Sequence, residues 1–262
     1  MGPRQFYSTA KRKARRVVER LADHVIGTTT SVSTEEKVVA LTFDDGPSPD
    51  STPRLLEILH HHGAKATFFM VGMAAARWPQ LVRDVADQGH AIGNHSWDHG
   101  SFPLLSGRQR RHQLRACARA LAPYEQRLFR PPYGNQNTAS YLDAALLGYR
   151  VIAWNGVCGD WTGDGAKLIT ERLSEHVRPG AIILLHDALF SYVDDACVDR
   201  SATFAAVDAV LERFKREYRF VTVPQLLRLG RPQTKRWHKL PDRKWLGTVK
   251  RSGLADEGSA IP

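Results

Sequence analysis

From Val38 onward the chain alternates between two patterns of apolar and polar positions. Short runs dense in apolar and β-branched residues recur at 38–44, 66–71, 91–95, 127–131, 149–154, 181–186 and 219–223, and each reads as a strand. Between them, stretches with apolar residues three and four apart predict helices over 51–62, 78–88, 106–122, 138–147, 166–177 and 203–216. Runs such as Ile182-Ile183-Leu184-Leu185 show no polar alternation, which suits strands buried on both faces. Strands alternating with helices predict an α/β protein with a parallel sheet of about seven strands, most simply a closed or nearly closed β/α barrel. No internal repeat is visible.

Outside this region the pattern fades. Residues 5–25 read as a basic helix with a partial apolar stripe of Val17, Val18, Leu21 and Val25, and the Ser/Thr-rich stretch 28–36 reads as a linker. The expected division is therefore a basic N-terminal helix and linker at 1–36, a catalytic domain at 37–228 and a basic C-terminal tail at 229–262. With 262 residues, 42% of them hydrophobic, the chain can bury a large core. The net charge of +10 belongs to the ends. Residues 1–20 carry seven Lys/Arg against one Glu, residues 229–262 carry eight against three acids, and the 22 basic and 23 acidic residues between nearly cancel. Nucleic acid is not an expected partner, although the basic ends suit peripheral contact with an anionic surface.

Val17 to Asp23 interrupts the apolar run that a secretory signal needs, so the expected location is cytoplasmic, and no apolar stretch is long enough to span a bilayer. Cys117, Cys158 and Cys197 are widely spaced and odd in number, which argues for reduced thiols.

The chemistry-bearing residues fall at strand ends. Asp44 and Asp45 follow an apolar strand and precede Gly46-Pro47; a turn there can bring both carboxylates to one rim, although Asp-Gly is also simply a good turn. His95 and His99, four apart after a short strand, share one side of a helical turn and either form a structural pair or meet one divalent ion. One carboxylate with two imidazoles is an open, catalytic metal pattern rather than a closed structural one. Arg130 precedes Pro131-Pro132-Tyr133, whose stiff backbone can fix the Tyr133 amide as a donor. Asp160-Trp161 ends another strand. His186 ends the apolar run 181–185, either as a satisfied core residue or as an acid whose pKa a partner such as Asp160 raises. His60-His61-His62 is discounted as a metal site, because consecutive helix positions do not share a face.

In order and local sequence these segments resemble the NodB-homology polysaccharide deacetylases, carbohydrate esterase family 4. The matching stretches are Thr42-Phe43-Asp44-Asp45-Gly46, His95-Ser96-Trp97-Asp98-His99, Arg130-Pro131-Pro132-Tyr133, Asp160-Trp161 and Ile182-x-Leu184-x-His186. The resemblance covers about residues 37–228. It implies a distorted (β/α) barrel of about seven parallel strands, and hydrolysis of the N-acetyl group of N-acetylglucosamine units, with release of acetate, at one divalent metal ion. That ion is usually zinc; cobalt and other divalent ions suit the same donors.

By the same resemblance Asp45, His95 and His99 hold the metal, Asp44 is the general base and His186 the acid that protonates the leaving amine. Arg130 orients Asp44, Asp160 positions and charges His186, and the Tyr133 amide stabilises the oxyanion. Tyr133, Trp161 and Leu184 line the substrate pocket. Val157 departs from the family pattern, which commonly has a polar or acidic residue there. Chito-oligosaccharides are the first expected substrate, peptidoglycan the second and a non-polysaccharide N-acyl intermediate the third.

Overall fold

The computed structural model describes residues 27–251, so the basic helix expected at 5–25 lies outside the described residues. The first strand, β1 (Thr28–Ser33), is followed by β2 (Val38–Asp44), β3 (Thr67–Met70), β4 (Ala91–Asn94), β5 (Glu125–Phe129) and β6 (Arg150–Val151). From β2 to β6 each strand pairs in parallel with the next. A two-residue β7 (Gly156–Val157) edges β8 (Ala181–His186), which lies parallel on the other side of β2, in register from Val39↔Ala181 to Asp44↔His186. The remaining strands are β9 (Ser191–Tyr192), β10 (Arg219–Phe220), β11 (Arg231–Lys235) and β12 (Lys250–Arg251).

Helices α1 (Thr52–His61), α2 (Gly72–Arg77), α3 (Pro79–Asp87), α4 (Gly107–Leu121), α5 (Thr138–Leu146), α6 (Ala166–Glu175) and α7 (Ser201–Phe214) supply the crossovers. They are followed by α8 (Val223–Arg228) and the short α9 (Arg243–Leu246). The expected barrel strands and long helices are all present, with ends shifted by a few residues.

Alternation along each strand sorts the core into two layers. Val39, Leu41, Phe43, Phe68, Met70, Ile183 and Leu185 face outward and pack beneath Leu55 and Leu59 of α1 and Phe204, Val207 and Leu211 of α7. Val38, Ala40, Phe69, Leu128, Ile152 and Ile182 face inward and fill the barrel. Two-sided burial explains why β8 is continuously apolar. At about 25 cal/mol per Å2, each fully buried Leu or Phe contributes roughly 2–3 kcal/mol.

Three sequence expectations need correction. The stretch at 28–36 is not a linker through Ser33: β1 pairs antiparallel with β8 and with β11, which makes the sheet mixed. Its threonines are polar by composition, but they are β-branched and their hydroxyls find partners, as where Gln136 Nε2 donates to Thr28 Oγ1 at 2.9 Å. Beyond β6, Ile152 bridges Thr29, and the Ala153 amide donates to the Thr29 carbonyl at 2.8 Å. The ring of β1, β8, β2, β3, β4, β5 and β6 thereby meets itself. The tail is likewise not separate, because β11 is a strand of the same sheet; domain boundaries at 37 and 228 cut through it. Finally, residues 95–99 form no helical turn, as described below. No helix among the described residues is long and apolar enough to cross a membrane.

Candidate active site

The inward face of β2 runs Val38, Ala40, Thr42, Asp44, so the apolar interior gives way to polar side chains at the carboxyl end of the barrel. Arg130, just past β5, reaches across this end with no exposed surface. Its Nη1 donates to Asp44 Oδ1 and to Thr42 Oγ1, each at 2.7 Å, and Nη2 donates to the Ala153 carbonyl at 3.2 Å. The guanidinium also lies 4.1 Å from the Phe69 ring centroid. Burial lowers its pKa and the Asp44 charge pulls it back up, which leaves a cation whose partner is fixed.

At Asp45 the backbone turns to φ 80°, which breaks strand alternation. The two adjacent carboxylates therefore meet the same imidazole: His95 Nε2 lies 3.7 Å from Asp44 Oδ2 and 3.4 Å from Asp45 Oδ1. Gly46 follows because Asp187 occupies the space a side chain would need; a Cβ there would stand 2.1 Å from Asp187 Oδ2. Asp187 accepts from the Gly46 amide at 3.1 Å and the Thr52 hydroxyl at 2.6 Å, and burial pushes its carboxyl up to about 6.

His95 and His99 stand on a loop shaped by left-handed residues, Ser96 at φ 69° and His99 itself at φ 59°. Side chains take the place of helical bonding. Asn94 Oδ1 accepts from the Ser96 amide, Ser96 Oγ from the His99 amide, and Gln113 Oε1 of α4 from the amides of Trp97 and Asp98 at 2.8 and 3.0 Å. His95 Nδ1 lies 2.8 Å from the Arg130 carbonyl; as the donor there, it leaves the Nε2 lone pair toward Asp45. His99 Nε2 lies 3.1 Å from Asp45 Oδ1, while its Nδ1 contacts Ser191 Oγ at 3.1 Å.

Asp45, His95 and His99 thus present ligand atoms within 4.8 Å of one another, all buried. Asp45 Oδ1 is buried without a hydrogen-bond partner, whereas Oδ2 accepts from the Phe190 amide at 2.9 Å. A buried carboxylate oxygen left unbonded between two imidazole nitrogens fits a divalent cation at their common focus.

His186 pairs with Asp44 in the β2–β8 register. Its Nδ1 lies 3.1 Å from Asp160 Oδ1, and its amide donates to Asp160 Oδ2 at 2.9 Å. Burial alone would lower the pKa of His186, but the Asp160 carboxylate raises it. Asp160 in turn is held below the usual carboxylate range: burial opposes ionisation, and the charges of His186 and Arg200 overcome it. Arg200 Nη2 donates to Asp160 Oδ2 at 2.5 Å and to Thr203 Oγ1 at 2.7 Å.

Tyr133 sits at φ 57° in a short turn fixed by Pro131 and Pro132, its ring 4.4 Å from that of His99 and its hydroxyl 3.1 Å from Ser191 Oγ. Leu184 shares the inward face of β8 with Ile182 and His186. Trp161 stands edge-on to His186 at 5.3 Å and is 38% exposed. The candidate site residues of the five matching stretches are therefore brought to one end of the barrel. Cys158 is buried and its thiol pushed up to about 12, which makes it packing rather than chemistry.

Sequence reasoning missed Arg200, Ser191 and Gln113. Gln113 had a signal, since with Arg110 it is a polar residue on the stripe of Leu114, Cys117 and Leu121, and a buried polar group requires a partner. Arg200 had none: nothing local distinguishes it from a solvated arginine at a helix start.

The sequence matches the polysaccharide deacetylase family profile over residues 31–152. It is 37% identical over 205 residues to a peptidoglycan-N-acetylglucosamine deacetylase of Bacillus cereus, covering 76% of this chain and 92% of that protein. The chain belongs to the polysaccharide deacetylases, carbohydrate esterase family 4. A chitooligosaccharide deacetylase of Azorhizobium caulinodans is 34% identical over 167 residues, 62% of this chain and 80% of that one. The crystal structure of the Bc1960 peptidoglycan N-acetylglucosamine deacetylase in complex with a hydroxamate superposes with a TM-score of 0.69 at 29% identity. It covers 78% of this chain and 94% of that one. The deacetylases of this family are metalloenzymes, and the buried cluster of Asp45, His95 and His99 has donors that fit a metal ion.

Proposed function

We propose that the protein is a metal-dependent deacetylase that hydrolyses the N-acetyl group of N-acetylglucosamine units and releases acetate. The observation that carries this reading is the unbonded Asp45 Oδ1 between two imidazoles, beside a carboxylate that Arg130 immobilises. Asp45, His95 and His99 would hold the ion, zinc first and cobalt second, and when bound it supplies Lewis acidity toward water and the acetamide carbonyl. Asp44 takes a proton from the attacking water, whose oxygen adds to the carbonyl carbon. The Tyr133 amide donates to the resulting oxyanion, worth on the order of 3 kcal/mol for one well-placed donor. His186 gives its proton to the nitrogen as the carbon–nitrogen bond breaks, leaving a free amine and acetate. Leu184, Tyr133 and Trp161 wall the pocket.

Chito-oligosaccharides are the first substrate reading; the long similarity to a peptidoglycan deacetylase favours peptidoglycan as the second. Both are tested by acetate release from N-acetyl-chito-oligosaccharides of graded length and from peptidoglycan, with protein stripped of metal and then given zinc. Zinc-dependent acetate is the expected result. No acetate from any glycan, with zinc demonstrably bound, would refute the reading.

A further inference from the structure

The segment after β11 has no part in the barrel core, yet it is tied to the active-site rim. Trp237 Nε1 donates to the Gly134 carbonyl and Lys239 Nζ to the Tyr133 carbonyl, each at 2.8 Å. Trp245 stands edge-on to the Tyr133 ring at 5.5 Å. β12 pairs with β9, whose Ser191 contacts both His99 and Tyr133. The strap thus runs one aromatic ring away from the metal-ligand triad.

Its composition is one-sided. Residues 231–251 hold eight Lys/Arg and a single acid, Asp242, on a chain whose central body is nearly neutral. Asp242 is committed to capping α9, accepting from the amides of Lys244 and Trp245. Lys250 is paired with Asp195 at 2.7 Å, but among the described residues no carboxylate lies within ion-pair distance of Arg243, Lys244 or Arg251, all of them exposed. Trp245 is 42% exposed, and Trp161 presents a second half-open indole beside His186. Exposed indoles stack on sugar rings, and arginines receive carboxylates.

We propose that the strap forms a second glycan subsite beside the acetamide centre. In it Trp245 stacks on a neighbouring sugar, and Arg243, Lys244 and Arg251 receive an acidic substituent of that sugar; the ligand class is an anionic N-acetylated glycan. This subsite rests on the deacetylase reading above and extends it to what flanks the reacting unit.

The test uses the full chain, zinc-loaded, with two tetrasaccharide probes: the neutral N-acetylglucosamine tetramer, and an alternating tetramer of N-acetylglucosamine and N-acetylmuramic acid with free lactyl carboxylates. In the wild type, salt should raise KM for the acidic tetramer and hardly change it for the neutral one. The triple substitution Arg243→Gln, Lys244→Gln, Arg251→Gln should reduce the preference for the acidic over the neutral tetramer about tenfold in kcat/KM, chiefly through KM. An unchanged preference would overturn the subsite. A rise in kcat with Trp245→Ala on both probes would also overturn it, by showing that the strap covers the site rather than lining it. Calorimetric binding of both tetramers to the same proteins needs no turnover. It tests the subsite even where no acetate forms, an outcome that would refute the reaction and leave the subsite standing or falling on the binding ratio.

Discussion

Arg130 buries a full positive charge, and its hydrogen bonds to Asp44, Thr42 and Ala153 define where the Asp44 carboxylate stands. Asp44 and Asp45 are neighbours in sequence with opposite fates, one held by a guanidinium and the other left facing two imidazoles. Asp45→Ala should accordingly lose zinc and turnover together, whereas Asp44→Asn should keep zinc and lose at least about 100-fold in rate. Metal content and acetate release on both variants check this, and an active Asp44→Asn would remove Asp44 as the base.

His186 must be protonated to act as the acid, and its folded pKa lies above the ordinary 6.5 because burial, which lowers it, is outweighed by the surrounding carboxylates together, Asp160 foremost and then Asp45 and Asp44. The rate should therefore hold below that folded value and fall as pH rises through it. The linked stability has the same sign: it is fully present below 6.5 and lost as pH rises through the raised value. Arg200 acts through Asp160 as a positioning residue. Arg200→Gln should lower kcat about tenfold and move the alkaline limb of the pH–rate profile upward, because a cation near His186 is gone. A profile with an unmoved limb would reduce Arg200 to packing.

At the scale of elements, the metal loop is an irregular segment whose shape is imposed from α4. Gln113 satisfies two of its amides with one oxygen, so Gln113→Ala should cost about 2 kcal/mol and weaken zinc binding, as thermal denaturation and zinc titration would show. Gly46→Ala should cost about 3 kcal/mol in chemical denaturation, since the new methyl would overlap the Asp187 carboxylate. The elements legible in the sequence were those buried on both faces, such as β2 and β8, whose apolar runs admit one reading. The loop carrying His95 and His99 was legible as chemistry but not as structure. Spacing of four suggests a helical turn, whereas the observed geometry depends on Asn94 and Gln113, and the latter lies fourteen residues beyond His99.

Across the whole molecule, what the sequence concealed is what closes the barrel. β1 is Thr-rich and β11 reads Arg-Pro-Gln-Thr-Lys, so neither has the apolar density by which a strand is recognised. Each is defined by a partner about 200 residues away, from Thr28↔Lys235 to Ser33↔Arg231. Removing residues 230–262 should therefore not trim an appendage. It should expose the outer edge of β1 and lower the denaturation midpoint well beyond what loss of a solvated tail would cause, and an unchanged midpoint would contradict the pairing.

The same pairing sets a timetable for synthesis. Most of the sheet consists of parallel neighbours that can assemble as they emerge from the ribosome, but β1 precedes them and its antiparallel partner β11 follows them all. Until Lys235 is available, β1 offers an unpaired edge to any other chain nearby. The nascent protein is thus exposed to misassociation over the roughly 200 residues that separate the two strands, and the arrival of β11 ends that exposure.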